Sequence, residues 1–425
     1  MEEYTFSSLT DAQIPLLLDH LAAVFDVVNP VTNQRGAPRA FFEHHWEEDF
    51  DSSRTSSAVF VAWHCNQIVA SVRVYSRSLR IGSGNKSVAA GGIGDVATQV
   101  NHRGKGLAKK LLAMAEDYAS TRYKIMTLHA SAMGLPVYEA VGWRNVDMHT
   151  RILTTTSANI MRSNGSSIQS INFNDPYHLA LIEACHKFVS QVVLGSFERC
   201  DDKHYWKGYV GSCRDIRRYP TRLLFTSSKK PVSDLAQGDL VGYIICDLFK
   251  HEVEKALSDP FHIINIQLRD LFWAKVDSGF DGTKIKVNAP NTLEFGCIIS
   301  DLVSSAIIQL LEPWFPDVAQ AKSRKVKLNY PAALLPDKLL DCTSLAWLSQ
   351  ESRENAVDVG MMYKILHPFT AESPAGELVE VEDITGLRKV FQPLLPGQSV
   401  SYVPCKGVEL QNGTPMFGFF KSDAY

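Results

Sequence analysis

The sequence feature that most constrains the fold is a glycine-rich strand followed by a tight turn and a helix. The strand occupies residues 91–98, the turn residues 103–106, and the helix begins near Leu107. In the first turn of a helix, backbone N–H groups have no partner within the helix, and this end carries partial positive charge. Gly104 and Gly106 have no Cβ atom, so an anion can approach the main chain closely. Taken alone, the stretch predicts either a phosphate-binding turn or an ordinary strand-to-helix connection.

Hydrophobic periodicity predicts further strands and helices around this turn. Alternating or continuous apolar residues favour strands, and apolar residues every three or four positions favour helices. The helix after the turn extends to about residue 120. The other predicted elements of this part are a strand near 4–6, helices over 10–25 and 40–50, strands over 58–63, 68–76 and 125–129, a short helix over 137–141, and closing strands over 144–148 and 150–155.

Two motifs in this order resemble those of the GNAT superfamily of N-acetyltransferases. The first is Arg-x-x-Gly-x-Ala over residues 103–108, and the second is the segment 128–143, in which Tyr138 precedes a Gly-Trp pair. The resemblance implies an α+β domain with the GNAT fold, a mixed, mostly antiparallel, splayed sheet flanked by helices. In that fold the strand before the phosphate turn diverges from the next strand, and the pantetheine arm of coenzyme A fits between them.

The resemblance also implies which residues contact the acyl donor, acetyl-CoA. The pantetheine arm and the acetyl group are expected at the end of the glycine-rich strand, and the pyrophosphate at the turn. The expected donor-binding residues are Val96, Ala97, Thr98, Arg103, Gly104, Lys105, Gly106, Leu107 and Ala108.

Two further residues are implied as catalytic. Tyr138 is expected to act as the general acid toward the coenzyme A sulfur, since a phenol with an ordinary pKa of about 10 can protonate a thiolate. Asp95 is the carboxylate nearest in sequence to the acetyl position and is expected to act as a base, directly or through water. The alternatives are that Tyr138 only packs the short helix, that Asp95 is a structural residue at a strand end, and that His129 is the base.

The remainder of the chain predicts two additional regions. Residues 1–156 form the expected catalytic domain, residues 157–356 a second, degenerate GNAT-like domain, and residues 357–425 a small C-terminal region. The second region repeats a strand–helix–strands order without a glycine turn, so it is expected to wall the substrate cavity or mediate assembly. An unrelated α/β domain is the alternative. The layout is similar to acetyltransferases of the enhanced-intracellular-survival type and faintly to fungal lysine N-acetyltransferases; the former implies a base role for the carboxylate of Tyr425.

Composition and net charge limit the cellular compartment and the binding partners to be expected. The net charge of −3 argues against general affinity for nucleic acid or anionic membranes. No apolar run reaches the roughly 20 residues that span a bilayer, and the first residues show no secretory signal pattern. Eight cysteines without a CxxC pair favour a reduced cytoplasmic protein without a bound metal. His44 and His45 beside Glu47 and Glu48 fit a solvated helix face better than a metal site.

These observations together predict an acetyl-CoA-dependent N-acetyltransferase that transfers the acetyl group directly to the primary amine of a small molecule. One alternative is a protein lysine or N-terminal acetyltransferase, for which the acidic run over residues 43–51 could supply a groove. Another is a coenzyme A-binding scaffold without turnover. The sequence does not determine the amine, and a homo-oligomer stays open.

Overall fold

The computed structural model describes most of the chain, and all structural statements concern the residues that it describes. These are residues 3–26, 36–47, 56–81, 87–146, 148–156, 167–190, 193–194, 204–211, 218–228, 230–282, 284–288, 292–315, 324–331, 352–358, 360–373, 377–391 and 416–417. Glu48, residues 157–166 and Tyr425 lie outside them.

Residues 3–156 contain four α-helices and seven strands among the described residues. The helices are α1 (Ile14–Phe25), α2 (Arg39–Glu47), α3 (Leu107–Ser120) and α4 (Leu135–Glu139). The strands are β1 (Thr5–Ser8), β2 (Val59–His64), β3 (Gln67–Arg80), β4 (Ser87–Thr98), β5 (Ile125–His129), β6 (Arg144–Asn145) and β7 (Met148–Thr156).

Residues 167–417 contain further strands and helices. The helices are α5 (Pro176–Ser190), α6 (Lys250–Ser258), α7 (Thr292–Leu311) and α8 (Ile384–Phe391). The strands are β8 (Ser167–Ser170), β9 (Val193–Leu194), β10 (Arg218–Thr226), β11 (Leu240–Phe249), β12 (Ile264–Asp281), β13 (Lys284–Asn288), β14 (Lys325–Pro331), β15 (Ser352–Asp358), β16 (Met361–Ile365), β17 (Phe369–Glu372), β18 (Leu378–Val381) and β19 (Met416–Phe417). One turn of π-helix covers His204–Val210.

The strands form two large sheets that share one pattern of parallel and antiparallel neighbours. The first sheet runs β1-β2-β3-β4-β5-β16-β6, and the second runs β8-β10-β11-β12-β14-β7-β15. In each sheet the fourth and fifth strands are parallel, and all other neighbours on this path are antiparallel. We call the first sheet with α1 to α4 the first unit, and the second sheet with α5 to α7 the second unit.

The two units exchange one strand each. β7 follows the first unit in sequence but pairs with β14 and β15 of the second sheet. β16 follows the second unit but lies between β5 and β6 of the first sheet. The predicted division near residue 156 therefore assigns β7 to the wrong sheet, because strand pairing between distant segments leaves no local signal. β15 and β16 are close in sequence but likewise belong to different sheets.

Helices cover both faces of the first sheet. The buried stripe of α3 packs against Val72 and Val74 of β3. On the opposite face, Leu17 and Leu21 of α1 pack with Val61 of β2. Successive strand residues point to opposite faces of a sheet, so the residues of β3 next to Val72 and Val74 point away from α3. No helix among the described residues has the length and apolar composition needed to span a bilayer.

Candidate active site

Strand β4 leaves its neighbour β5 part-way along its length. It pairs with β3 from Ser87 to Thr98, but with β5 only from Ala90 to Gly92. Within the described part of the chain, no strand pairs with this edge of β4 over residues 93–98. An exposed strand edge offers backbone N–H and C=O groups to an extended ligand. The geometry therefore suits a narrow chain, such as a pantetheine arm, lying between β4 and β5.

A β-bulge at Asp95 bends β4 where it diverges from β5. Ser71 pairs with Ala97 and Arg73 pairs with Gly94, so two residues of β4 oppose one residue of β3. Asp95 has a φ of 50°, a left-handed conformation that costs a residue with a Cβ about 1 kcal/mol. A bulge bends its strand and redirects the local side chains. The sequence carried no signal for it, because an aspartate rather than a glycine takes the left-handed position.

Side chains from β3 hold Asp95 in this conformation. The Ser71 hydroxyl donates a hydrogen bond to the Asp95 carbonyl oxygen at 2.8 Å, and the Tyr75 hydroxyl donates to Oδ2 at 2.9 Å. Nη1 of Arg73 lies 3.8 Å from the same Oδ2. These contacts engage the Asp95 carbonyl oxygen and one of its two carboxylate oxygens, which favours a holding role for Asp95. The general-base role predicted from the sequence stays a prediction.

Helix α2 covers the face of β3 beside the bulge. The guanidinium carbon of Arg73 lies 4.3 Å from the centre of the Trp46 ring and 4.4 Å from that of Tyr75. The His45 ring stacks on Tyr75 with centroids 5.6 Å apart and an angle of 15° between planes. Strand alternation alone places Arg73 and Tyr75 on one face of β3. Their contact with α2 is a long-range feature that the sequence did not reveal.

Phe41 connects this region to the second unit. Its partly buried ring packs against the core under α1 and also against the core of the second unit. Because α2 carries Phe41 on one side and Trp46 near Arg73 on the other, the second unit supports the helix that covers the bulge. The predicted wall function of the second region stays a prediction.

The turn after β4 has the backbone that its glycines predicted. Gly104 and Gly106 have φ values of 76° and 75°, and Gly106 is the residue that precedes α3. A Cβ built at either glycine would meet no heavy atom within 4 Å, so the turn opens onto unoccupied space. The N-terminal N–H groups of α3 therefore border an open surface and carry partial positive charge. An anion can reach this surface without displacing a side chain.

The side chains around the turn take different directions. Nε of Arg103 donates to the Thr98 carbonyl oxygen at 3.1 Å, which ties the turn to the end of β4. Nζ of Lys105 donates to the Tyr4 hydroxyl at 2.9 Å. Leu107 is 4% exposed, so its side chain anchors the helix in the core while its backbone faces the turn.

The remaining residues predicted to bind the donor lie along the same path. The Val96 side chain packs toward α3, whereas Ala97 is buried in the core under α1. Ala108 is partly buried in the first turn of α3. All nine predicted donor-binding residues thus lie on one continuous segment from β4 to α3. Contact of each residue with a coenzyme stays a prediction.

Tyr138 lies on α4, between the turn after β5 and the core. The residue is 8% exposed, packs edge-on against Trp143 with ring centroids 6.2 Å apart, and belongs to the core that contains Leu107. No described residue accepts or donates a hydrogen bond at its hydroxyl. Burial raises its pKa to about 12. Because the prediction from sequence assumed an ordinary phenol, the structure corrects that assumption: Tyr138 holds its proton more tightly than a solvated tyrosine.

His20 of α1 lies behind the end of β4. It is 3% exposed, and burial lowers its pKa from 6.5 to about 4, an effect that the nearby carbonyl groups of Ile68 and Ala97 partly offset. Neither ring nitrogen forms a hydrogen bond of normal geometry with a described residue. A neutral imidazole therefore packs beneath the strand end that borders the site.

Metal binding finds no support among the described side chains. No group of three or more His, Cys, Asp or Glu residues is arranged to hold a metal ion there. His44 is exposed and His45 is buried against Tyr75, so the pair does not present two ligands to one point. Glu48 lies outside the described residues.

Comparison with known proteins identifies the first unit. The family model for the GNAT acetyltransferase domain matches residues 5–146. These residues therefore carry a GNAT acetyltransferase domain. The family transfers acyl groups from acyl-coenzyme A, so the protein is an acyltransferase. No curated protein matches the sequence.

Solved structures show that the fold likeness extends beyond the GNAT domain. A GCN5-related N-acetyltransferase from Anabaena variabilis is 12% identical, with a TM-score of 0.53 over 89% of this chain and 83% of that one. A GCN5-related N-acetyltransferase from Kribbella flavida is 14% identical, with a TM-score of 0.50 over 87% and 75%. Eis1 from Mycobacterium abscessus is 11% identical, with a TM-score of 0.46 over 86% and 74%. The mixed α+β GNAT fold is confirmed, and the finer subtype stays a prediction.

In the second unit, a strand covers the edge that corresponds to the open edge of β4 in the GNAT domain. β12 pairs with β14 only over Ile264–Gln267, as β4 does with β5. Further along, β13 folds back and pairs with β12 from Lys275 to Asp281. β11 already occupies the other edge of β12 at Lys275, so β13 lies on the edge that corresponds to the open one. A hairpin thus lies where the first unit has its open strand edge. Loss of the coenzyme site from this unit stays a prediction.

Proposed function

We propose that the protein transfers an acetyl group from acetyl-CoA directly to the primary amine of a small molecule. The observation that carries this proposal is the open edge of β4 over residues 93–98, which leads into the uncovered turn at Gly104 and Gly106. The two features lie in sequence on one segment of the GNAT domain. They suit the two chemically different halves of one ligand, an extended amide-containing arm and a pyrophosphate.

In this proposal the donor supplies an activated thioester, and the protein supplies position and proton control. Backbone groups of β4 align the arm, and the N–H groups at the start of α3 bind the pyrophosphate. Fixing both reactants converts a bimolecular step into an effectively unimolecular one. The neutral amine attacks the thioester carbon, a carbon–nitrogen bond forms, and the carbon–sulfur bond breaks. The nitrogen loses one proton to solvent and the sulfur gains one, so the products are an amide and free coenzyme A.

Tyr138 is proposed to act on the departing sulfur. Its raised pKa keeps the phenol protonated throughout the physiological range, and in that form it can donate to a thiolate. The same burial makes full transfer of the proton less favourable than for a solvated phenol. We therefore assign Tyr138 hydrogen-bond donation to the sulfur as charge develops, with proton transfer completed as the thiol leaves.

Asp95 is proposed to contribute through the shape of β4. Its carboxylate, held by Tyr75 and Arg73, maintains the bulge at the point where β4 leaves β5. Trp46 and His45 of α2 border the bulge and are proposed to form one wall of the acceptor site. The second unit supports that wall through Phe41.

The experiment is a survey of acceptors with the full chain. Thiol release from acetyl-CoA is measured with single amines, amino acids, polyamines and histone-like peptides, and mass spectrometry identifies the acetylated product. Turnover with a small amine supports the proposal. Turnover with peptides alone would replace it with protein acetylation, and coenzyme binding without any turnover would replace it with a scaffold role.

A further inference from the structure

Lys364 reaches the GNAT domain from the opposite end of the sequence. It lies on β16, the strand inserted between β5 and β6. Its Nζ donates to Oε2 of Glu116 on α3 at 2.7 Å and to the Val141 carbonyl oxygen at 2.8 Å. Both side chains of the ion pair are largely buried, at 23% and 20% exposed. An ion pair with these partners is better placed to fix geometry than an exposed pair.

Glu116 also contacts the segment that follows α4. Its second oxygen, Oε1, accepts a hydrogen bond from Nε1 of Trp143 at 3.3 Å. Lys364 and Trp143 therefore share one carboxylate. Val141, whose carbonyl Lys364 also binds, lies two residues before Trp143 in the turn that ends α4.

Trp143 in turn contacts Tyr138 in two ways. Its backbone N–H donates to the Tyr138 carbonyl oxygen at 3.1 Å, and its fully buried ring packs edge-on against the Tyr138 ring. The Tyr138 hydroxyl has no hydrogen bond to a described residue, so ring packing and backbone geometry set its position. A change in the position of Trp143 is therefore transmitted to the phenol.

We propose that Lys364 is a positioning residue for Tyr138, acting through Glu116 and Trp143. The role of Tyr138 rests on the proposed function. The inference adds that the acid of the GNAT domain is set in place by a strand that joins its sheet more than two hundred residues later in the chain. The second half of the chain thus contributes directly to the order of the active site, in addition to supporting its outer wall.

The first test is a double-mutant cycle in the full chain with acetyl-CoA and the best acceptor. Lys364→Met keeps the aliphatic stem and removes the charge, and Glu116→Gln keeps the shape of its partner. Each is expected to lower kcat about tenfold, since a small misplacement of a reacting group has effects of this size or larger. Coenzyme A affinity is expected to stay within about twofold, because the turn at Gly106 is not part of the network. On a Tyr138→Phe background, Lys364→Met should cause no further loss of kcat.

The control is Lys124→Met, which removes an exposed lysine next to β5. It should leave kcat and coenzyme affinity unchanged. An equal loss from Lys364→Met in the presence and absence of the Tyr138 hydroxyl would overturn the proposal. So would a parallel fall in coenzyme affinity and melting temperature, because that pattern indicates general loss of structure.

A second readout does not depend on turnover. With 3-fluorotyrosine incorporated, the fluorine resonance missing from Tyr138→Phe identifies Tyr138. Lys364→Met and Glu116→Gln should both shift this resonance, and Lys124→Met should not. Failure of the proposed function would appear as absent coenzyme binding in the wild type, whereas an unmoved resonance in both variants overturns the positioning role alone.

Discussion

The Tyr75 hydroxyl donates a hydrogen bond to Oδ2 of Asp95 across 2.9 Å, joining adjacent strands at the point where β4 bulges. The bond compensates for the left-handed backbone of Asp95, whose φ is 50°. Since β4 diverges from β5 in the same region, this pair connects the interior of the sheet to the shape of the open edge. One oxygen of the carboxylate that the sequence predicts as a base is thereby engaged in holding the strand.

Replacement of Asp95 distinguishes holding from base catalysis. Asp95→Asn keeps an oxygen that accepts from Tyr75 and tolerates positive φ, so activity should stay within about threefold of wild type. Asp95→Ala removes the bond and retains the strain, and should lower the free energy of unfolding by about 2 kcal/mol and kcat by about tenfold. Steady-state kinetics and urea unfolding measure both. If Asp95→Asn loses the hundredfold or more typical of a missing base, the holding role is wrong.

Removal of the Tyr138 hydroxyl should affect chemistry and leave binding intact. Tyr138→Phe is expected to lower kcat by about a hundredfold, within the usual range for a general acid, with little change in coenzyme A affinity.

The raised pKa of about 12 adds a second expectation: Tyr138 should cause no loss of activity as pH rises through 10. In the unfolded chain the phenol loses its proton near 10, so its contribution to stability should fall between pH 10 and 12. Stopped-flow rates and calorimetric titration test these points, and an unchanged kcat in Tyr138→Phe would remove the residue from the mechanism.

His20 should make the folded state sensitive to acid. Its pKa is lowered from 6.5 to about 4 in the folded state, so the unfolded state binds the extra proton first as pH falls. The stability that neutral His20 contributes is complete above pH 6.5 and is lost between pH 6.5 and 4, by about 3 kcal/mol in total. Denaturant unfolding at pH 7 and pH 5 measures the slope. His20→Gln should flatten it relative to the exposed control His44→Gln, and equal slopes in the two variants would contradict the assignment.

The strand exchange predicts that residues 1–156 do not fold alone. β16 supplies the fully buried Met361, Met362 and Tyr363 to the interior of the first sheet. Without it, one edge of β5 and the core beside it are exposed, a loss of several buried side chains at about 2 kcal/mol each. The fragment should lack a cooperative thermal transition that the full chain shows by circular dichroism. A cooperative transition together with coenzyme binding by the fragment would show that β16 is dispensable.

The local features of the site follow from the sequence because their causes are local. Gly104 and Gly106 predict the turn because of their conformational freedom. The spacing of Leu107 and Leu111 predicts the helix that follows it. Tyr138 is identified from the sequence by its position before Gly142 and Trp143 in the second motif. Each of these signals spans a few residues, and each element forms where the pattern indicates.

The remaining features depend on contacts between distant segments. Nothing near Lys364 indicates that its strand enters the first sheet, since the pairing partner lies more than two hundred residues away. The environment of Tyr138, which raises its pKa, arises from packing rather than from its neighbours in sequence. Likewise β13 closes the edge of β12 through a register that only the folded sheet reveals.

The central claim is that the open turn at Gly106 binds the pyrophosphate of coenzyme A. The most direct test is the thermal unfolding midpoint of the full chain as a function of acetyl-CoA concentration, for wild type, Gly106→Val and the control Lys124→Met. The account predicts a rise that continues with concentration in wild type and in the control, equivalent to about 2.7 kcal/mol at a hundred times Kd, and a greatly reduced rise in Gly106→Val. A midpoint in wild type that does not move at the highest soluble concentration of acetyl-CoA, or one that rises equally in Gly106→Val, would contradict it.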